Sequence, residues 1–381
     1  MTHATPTLTS SPVADPTASQ LLPALNMTET ALRLLPNTVQ GALVEVQQLL
    51  NALAPTETGW LAETLAHTLG VPGKCLRPTL CLLMGEATGG LKPAHTQTAA
   101  VAEMIHVATL LHDDVLDDAD LRRNQPTART HWGNTVSILS GDYLLAEASR
   151  LLAKIGHIRL VAIFSDVLAD LCSGEVEQLR TQRQWPSQPS ELPTLWQSYY
   201  QKTMCKTASL FAAACESGAW LNNLDETSLL AVRSYGEQLG IAFQLIDDWL
   251  DYSGTVAGTG KPVMGDIQQG LVTAPLLLAL ESTLLTPAQH AELSQAVQTT
   301  FTLTSTLNPE TPSADDARLT LTSTLKTIQT LVHASGAEAA LQAKAQEAVD
   351  AAVASLTRVC KPSPAQEALV ALAQGSIGRQ R

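Results

Sequence analysis

Aromatic side chains are scarce, with four Phe, five Tyr and six Trp making up 4% of 381 residues. Sheets lean on aromatic and β-branched pairs, whereas Leu and Ala, which dominate here, are good helix formers. The sequence therefore predicts an all-α protein. Positive charge is also short: 23 Lys and Arg stand against 36 Asp and Glu, a formal charge of −13. That sign excludes a chain that grips a nucleic-acid backbone. The six cysteines (Cys75, Cys81, Cys172, Cys205, Cys215, Cys360) form no CxxC pair. Their scatter argues against a zinc site or a disulfide framework and predicts reduced thiols in a cytoplasm. Apolar runs are short as well. Ala274 to Leu280 is among the longest, far below the roughly 18 residues a membrane span needs.

Residues 1–35 are rich in Thr, Ser, Pro and Ala, lack Lys, and have their first Arg at Arg33. Such a segment buries little and is expected to be a disordered tail. It has neither the basic start and apolar block of a secretory signal nor the Arg content of a transit peptide. From about residue 38 apolar residues recur at helical spacing, as in Leu43, Val46, Leu49, Leu50 and Leu53. Thr181 to Thr194, with Pro186, Pro189 and Pro193, and Thr304 to Asp316, with Pro309 and Pro312, read as loops. Neither is distinct enough to separate domains, so residues 36–381 are expected to form one large helical domain.

Within that pattern stand Asp113, Asp114, Asp117, Asp118 and Asp120, in a stretch otherwise helical from about Ala99. On a helix Asp113 and Asp117 stack at i and i+4, as do Asp114 and Asp118. Two carboxylates about 6 Å apart repel by roughly 3 kcal/mol at an effective dielectric near 20, so the cluster asks for a cation. The pattern returns at Asp247, Asp248 and Asp251. A single copy could be a solvated acidic face, the reading given to Asp315 and Asp316 in the second loop. Both copies of the longer motif, however, follow apolar helix: Ile105, Leu110 and Leu111 before the first, Phe243, Leu245 and Ile246 before the second. Facing each other, they would offer an oxygen-only donor set suited to Mg²⁺ completed by substrate phosphates and water.

Carboxylate-bound Mg²⁺ implies a polyanion, and polyanions also need Lys and Arg. Arg122 and Arg123 follow the first cluster closely. Lys74 and Arg77 share a face near the start of a predicted helix, where backbone donors also favour an anion. Lys206 and Lys261 complete the set. Gly260-Lys261 is not a Walker loop, because Thr255 stands where the first Gly belongs and Pro262 where Ser or Thr would hold the metal.

In order along the chain, these residues form Gly73-Lys-x-x-Arg-Pro, His106 seven residues before the first cluster, Asp113-Asp-x-x-Asp with Arg122-Arg123, Gly141-Asp142-Tyr143, Lys206-Thr-Ala, Gln244-x-x-Asp-Asp-x-x-Asp and Gly260-Lys-Pro. The set resembles the all-trans polyprenyl diphosphate synthases, relatives of farnesyl and geranylgeranyl diphosphate synthase. It is most similar to the branch making quinone side chains of solanesyl, decaprenyl or octaprenyl length. The resemblance runs from about Leu43 to the C-terminus. It implies a single large helical bundle of the isoprenoid synthase type with a central cavity. It further implies a prenyltransferase that ionises an allylic diphosphate, condenses it with isopentenyl diphosphate and eliminates a proton. By the same resemblance Gly73, Lys74, Arg77, His106 and Arg123 bind isopentenyl diphosphate, while Arg122, Lys206 and Lys261 hold the allylic diphosphate. Asp113, Asp117 and Asp247, supported by Asp114, Asp248 and Asp251, would bind Mg²⁺, three ions bridging the allylic diphosphate, and Thr207 and Gln244 would face the reacting carbons. A homodimer is implied, with transient membrane contact to release an apolar product.

Product length is argued from the helix entering the first cluster. Short-chain members place aromatic residues four and five positions before the first Asp, whereas Thr109 and Ala108 stand there in this chain, with Ile105 and Met104 one turn earlier. The expectation is a tunnel continuing past the first turn and a medium-to-long product. The chain departs from the family at Cys75, where many members are basic, at Asn124 in place of Gly, and at Leu271 in place of a Lys near the diphosphate. Gly270-Leu-Val-Thr-Ala-Pro275 fits the quinone branch. Three alternatives stand beside this reading. A farnesyl or geranylgeranyl synthase would make a shorter product. A class I terpene cyclase would release a cyclised hydrocarbon without incorporating isopentenyl diphosphate. A non-catalytic subunit of a heteromeric synthase usually loses one or both aspartate motifs.

Overall fold

The computed structural model describes residues 29–54, 59–70, 75–122, 125–253, 264–306 and 314–378. The chain opens with α1 (Glu29–Arg33), α2 (Asn37–Asn51), α3 (Trp60–Leu69), α4 (Leu76–Thr88) and the long α5 (Pro93–Leu116). A two-residue hairpin follows, β1 (Leu121–Arg122) antiparallel to β2 (Gln125–Pro126). Next come α6 (Ala128–Trp132), α7 (Asn134–Ile155), α8 (Ile158–Thr181) and α9 (Leu192–Thr203). A π-turn over Met204–Ala208 joins α9 to α10 (Ser209–Trp220), and α11 (Glu226–Ser253) is the longest helix. The remaining helices are α12 (Gly265–Gln268), α13 (Ala274–Glu281), α14 (Pro287–Thr306), α15 (Ala314–Ala334), α16 (Ala337–Thr357) and α17 (Pro364–Ile377). Among the described residues the hairpin is the only extended pairing, as the low aromatic content predicts.

Local chemistry sets several boundaries. Pro93 occupies the first turn of α5, where its missing N–H costs nothing, and His95 Nδ1 accepts a hydrogen bond from the Lys92 N–H at 2.9 Å. Pro364 opens α17 in the same way behind Ser363, whose hydroxyl accepts from Gln366 N. The first proline-bearing stretch is shorter than expected: Pro189–Glu191 form a 3₁₀ turn and Pro193 lies in the first turn of α9. Asp315 and Asp316 are exposed, yet they sit in the first turn of α15 and not in a loop, where a negative charge favours the helix N-terminus. Pro309 and Pro312 lie outside the described residues, as do residues 1–28 of the expected tail. Residues 29–35 depart from that expectation: α1 is helical, and Ala31 and Leu35 are buried in the core beside α17.

One apolar cluster runs from Ala31 to Ala373 and is built mainly on α2, α4, α5, α10, α11, α16 and α17. A second joins α11 to α13–α16, and a third packs α3, α5, α6 and α7 together. The elements that matter for the site are brought close by small residues. A Cβ on Gly240 of α11 would lie 2.5 Å from Ala208 Cα, and one on Gly174 of α8 would lie 2.6 Å from Lys206 Cγ. Glycine at these two places lets α8 and α11 press against the π-turn from both sides. Single π-turns in an otherwise α-helical run are frequent at functional sites, and this one carries Lys206 and Thr207.

Candidate active site

α5, α8, α9 with its π-turn, α10 and α11 enclose a cavity of about 580 Å³. Asp113 and Asp117 reach it from the end of α5, Asp247 and Asp248 from α11, and Asp266 from α12. Arg77, Arg122, Lys202 and Lys206 supply positive charge on the same walls. Leu76, Thr109, Leu110, Leu171, Leu210 and Phe243 form the apolar part. A smaller cavity of about 120 Å³ adjoins it, sharing Cys75, Glu103, His106, Leu110 and Arg122.

The first aspartate cluster is not one continuous helix face. α5 ends at Leu116, Asp117 is its C-cap, and Asp118 takes a left-handed φ of 50°. Repulsion and the poor helix propensity of Asp both favour this break. The stacking expected of Asp114 and Asp118 is therefore absent. Asp114 turns away from the large cavity and accepts from Arg122 Nε at 2.8 Å, whereas Arg129 takes Asp118 at 3.0 Å and Asp120 at 2.9 Å.

Asp113 and Asp117 remain on the cavity wall in an unfavourable electrostatic state. Burial pushes the Asp113 carboxyl up to about 7; Glu175 and Asp117 push the same way, while Lys206 and Arg122 pull back. Asp117 is raised by burial too, against the pull of Lys206. Added positive charge would relieve both.

The second cluster divides three ways. Asp247 faces the cavity and lies within electrostatic reach of Arg77. Asp248 is 2% exposed; it accepts from Gln244 Nε2 at 2.8 Å and from the Tyr199 hydroxyl at 2.7 Å. Burial pushes its carboxyl up to about 6 while those two hydrogen bonds pull it down. Asp251 lies off the wall: its two oxygens accept from the N–H groups of Gly265 and Asp266 at 3.0 and 3.1 Å, which caps α12. Asp114 and Asp251 thus do not line the cavity with the other four; Arg122 holds the first and the N–H groups at the start of α12 hold the second.

Thr207 and Gln244 both line the cavity. The Thr207 hydroxyl donates to Gln244 Oε1 at 2.7 Å, so Thr207, Gln244, Asp248 and Tyr199 form one hydrogen-bonded chain along the wall. Lys206 is held by Glu175 at 2.6 Å and Gln178 at 3.1 Å. Arg77 lies 4.8 Å over the Phe211 ring; burial lowers its guanidinium to about 10, and Glu103 and Asp247 raise it again. His106 lines both cavities. Gly73, Lys74, Arg123 and Lys261 lie outside the described residues, as do the neighbouring Asn124 and Gly260.

Gly141-Asp142-Tyr143 has a packing role. A Cβ on Gly141 would lie 2.3 Å from His112 Nε2, and that nitrogen sits 3.1 Å from the Ile138 carbonyl oxygen. Of the four proposed length-setting residues only Thr109 lines the cavity. Ala108 packs with Leu65, Leu111 and Leu144, while Met104 and Ile105 are in the main core. Ile105 and Met104, one turn before Thr109 and Ala108, do not line the cavity, and α7 packs on α5 at Gly141, against His112 and Ala108. Thr109 on α5 and Leu171 on α8 both line the cavity, and the two helices barely touch each other.

Sequence reasoning missed Lys202, Asp266, Glu103 and Glu175. Lys202 had a signal, since it precedes Lys206 by four residues. Glu103 had one too, since it precedes His106 by three on α5. Among the described residues no three His, Cys, Asp or Glu side chains converge to hold a metal by themselves. A hard cation bound here would need oxygens from a ligand as well, which suits Mg²⁺ and a diphosphate.

Comparison with known proteins is consistent with this arrangement. The polyprenyl synthetase family matches residues 58–308. Heptaprenyl diphosphate synthase component 2 of Geobacillus stearothermophilus is 35% identical over 238 residues, which are 62% of this chain and 72% of that protein. A decaprenyl diphosphate synthase from Rhodobacter capsulatus has a crystal structure that superposes with a TM-score of 0.74 at 31% identity, covering 90% of this chain and 98% of the other. A polyprenyl synthase from Caulobacter crescentus, solved with calcium and isoprenyl diphosphate, gives a TM-score of 0.75 at 29% identity, covering 93% and 98%.

Proposed function

The chain belongs to the polyprenyl synthetase family and is a prenyltransferase; on that premise we propose that it condenses isopentenyl diphosphate head-to-tail onto an allylic diphosphate, giving a medium- or long-chain all-trans polyprenyl diphosphate. The observation that carries this reading is the single cavity in which Asp113, Asp117, Asp247 and Asp248 face Arg77, Arg122, Lys202 and Lys206. A site with both signs at this density suits a polyanion bridged by divalent cations.

Mg²⁺ held by Asp113, Asp117 and Asp247 together with the diphosphate would supply positive charge to the leaving group. The chain's own residues divide the remaining work. Lys206 and Arg122 bind the allylic diphosphate as its C–O bond breaks, exchanging Glu175 and Asp114 for phosphate oxygens. Arg77, on the wall of the large cavity, and His106, which lines both cavities, bind isopentenyl diphosphate. Its double bond attacks the allylic cation, a C–C bond forms, and the proton leaves to the departed diphosphate. The chain from Thr207 to Tyr199 fixes the wall beside the cation. Leu171, Leu210 and Phe243 exclude water that would quench it.

The test is incubation of the purified protein with Mg²⁺, farnesyl diphosphate and labelled isopentenyl diphosphate. A ladder extending beyond geranylgeranyl length is expected; a cyclised hydrocarbon or no incorporation rejects the reading. Cation binding should also depend on pH with a definite sign. A proton competes with the cation for the Asp113 carboxylate below about pH 7, so apparent Mg²⁺ affinity in the presence of diphosphate should rise up to that pH and flatten above it. Calorimetric titration between pH 5.5 and 8.5 reads this directly.

The assembly we propose is a homodimer through α7 and α8. Leu139 on α7, with Ile158, Val176 and Leu179 on α8, are large apolar side chains exposed on this pair of helices, and Ala146, Ala162 and Ala169 lie exposed among them. Sedimentation equilibrium should give twice the 40.5 kDa chain mass; a monomer that gains activity only with a second protein favours the heteromeric alternative. No helix among the described residues is long and apolar enough to cross a membrane.

A further inference from the structure

Among the described residues four cationic side chains line the large cavity, and two of them are occupied by protein: Arg122 by Asp114, Lys206 by Glu175 and Gln178. Among the described residues Arg77 and Lys202 make no hydrogen bond or ion pair. Arg77 has the Phe211 ring beneath it. Lys202 has only a distant one, its Nζ lying 6.0 Å from the centroid of Tyr199. It is partly buried at the end of α9, one turn before Lys206, and its charged surroundings are Asp248, Asp266, Lys206 and Glu175. Burial lowers its pKa, and Lys206 adds repulsion. A desolvated ammonium without a partner, beside a second ammonium, is costly unless an anion joins the two. Leu271, on the same wall, offers no charge.

We propose that Lys202 binds the diphosphate of the allylic substrate together with Lys206. The proposal rests on the reaction proposed above for this cavity. In this role the ammonium donates to non-bridging phosphate oxygens on the side of the second aspartate cluster, and Lys206 donates from the side of the first. The competing role is a counter-ion to Asp248 and Asp266 that never touches substrate.

Lys202→Met keeps the aliphatic stem and removes the charge; Lys202→Arg keeps the charge. In Lys202→Met the KM for farnesyl diphosphate is expected to rise roughly 10- to 100-fold, the value of one charge-assisted hydrogen bond. The KM for isopentenyl diphosphate and the melting temperature should hold, and Lys202→Arg should recover most of the loss. Calorimetry with Mg²⁺ and inorganic diphosphate should show the same weakening without turnover. In the unaltered protein, magnesium diphosphate should protect Lys202, but not the exposed Lys154, from an amine-reactive reagent read by mass spectrometry. An unchanged allylic KM, a lowered melting temperature with unchanged KM, or absent protection overturns the proposal. If the unaltered protein elongates nothing while Lys202→Met still loses diphosphate binding, the reaction is misassigned and the Lys202 site stands.

Discussion

Asp113→Asn is expected to lower kcat by about 10³-fold while raising the melting temperature of the metal-free protein by roughly 1–3 °C. The two effects have one cause. Asp113 is held near Asp117 and Glu175, where burial pushes its carboxyl up to about 7. Its ionised form is therefore disfavoured despite the pull of Lys206 and Arg122, and a bound cation would relieve it. Asparagine keeps the shape and one acceptor oxygen but removes the charge, so the empty site relaxes and the loaded site loses a ligand. The sign follows from linkage. A folded-state pKa raised above the unfolded value means the native protein binds the extra proton more tightly between about pH 4 and 7, so metal-free stability falls as pH rises through that window. The melting gain of Asp113→Asn should therefore be largest above pH 7 and vanish near pH 4. Asp114→Asn, by contrast, should lower stability at pH 7, because it weakens the 2.8 Å pair with Arg122 inside a buried setting. Differential scanning fluorimetry across pH, paired with single-turnover rates, separates the two aspartates. Equal behaviour of the pair would refute the division of labour drawn from the structure.

The aspartate repeat was legible because it violates local rules. Neighbouring carboxylates are poor helix material, and two such violations at the ends of apolar stretches point to a shared cation. The sequence does not tell which oxygens are already spent. Asp114 is claimed by Arg122, Asp248 by Tyr199 across 49 residues, and Asp251 by the N–H groups of a short helix 14 and 15 residues on. Those partners are set by tertiary packing, so of the six donors expected from the motifs three already have protein partners that the sequence does not reveal. Lys202 stands one turn before Lys206, but its burial beside Asp248 and Asp266 at the end of α9 is set by tertiary packing and not by the sequence. Residues 29–35 were masked by a polar flank, although Ala31 and Leu35 fit the core pattern once α17 is there to receive them. In Gly141-Asp142-Tyr143 the glycine serves the close approach of α7 to His112 on α5, a contact that the motif alone does not reveal.

Thr109→Phe should shorten the dominant product to geranylgeranyl length or below, and Ala108→Phe should instead cost stability. From sequence both positions are equivalent small residues at the floor of the pocket. In the structure they point to different places, as successive residues 100° apart on a helix must. Thr109 lines the cavity beside Leu110, facing Leu171 and Phe243. A phenyl ring there would fill cavity space between α5 and α8 that a growing apolar chain would otherwise use. Ala108 is fully buried, and its carbonyl oxygen lies 3.1 Å from where a Cβ on Gly141 would stand. A ring placed between α5 and α7 has no room, and overpacking of this kind costs about 1–3 kcal/mol. Product chains separated by chromatography, together with urea denaturation of both variants, provide the check. A shortened product from Ala108→Phe at unchanged stability, with normal chains from Thr109→Phe, would place the exit on the α7 side of α5 and reverse this assignment.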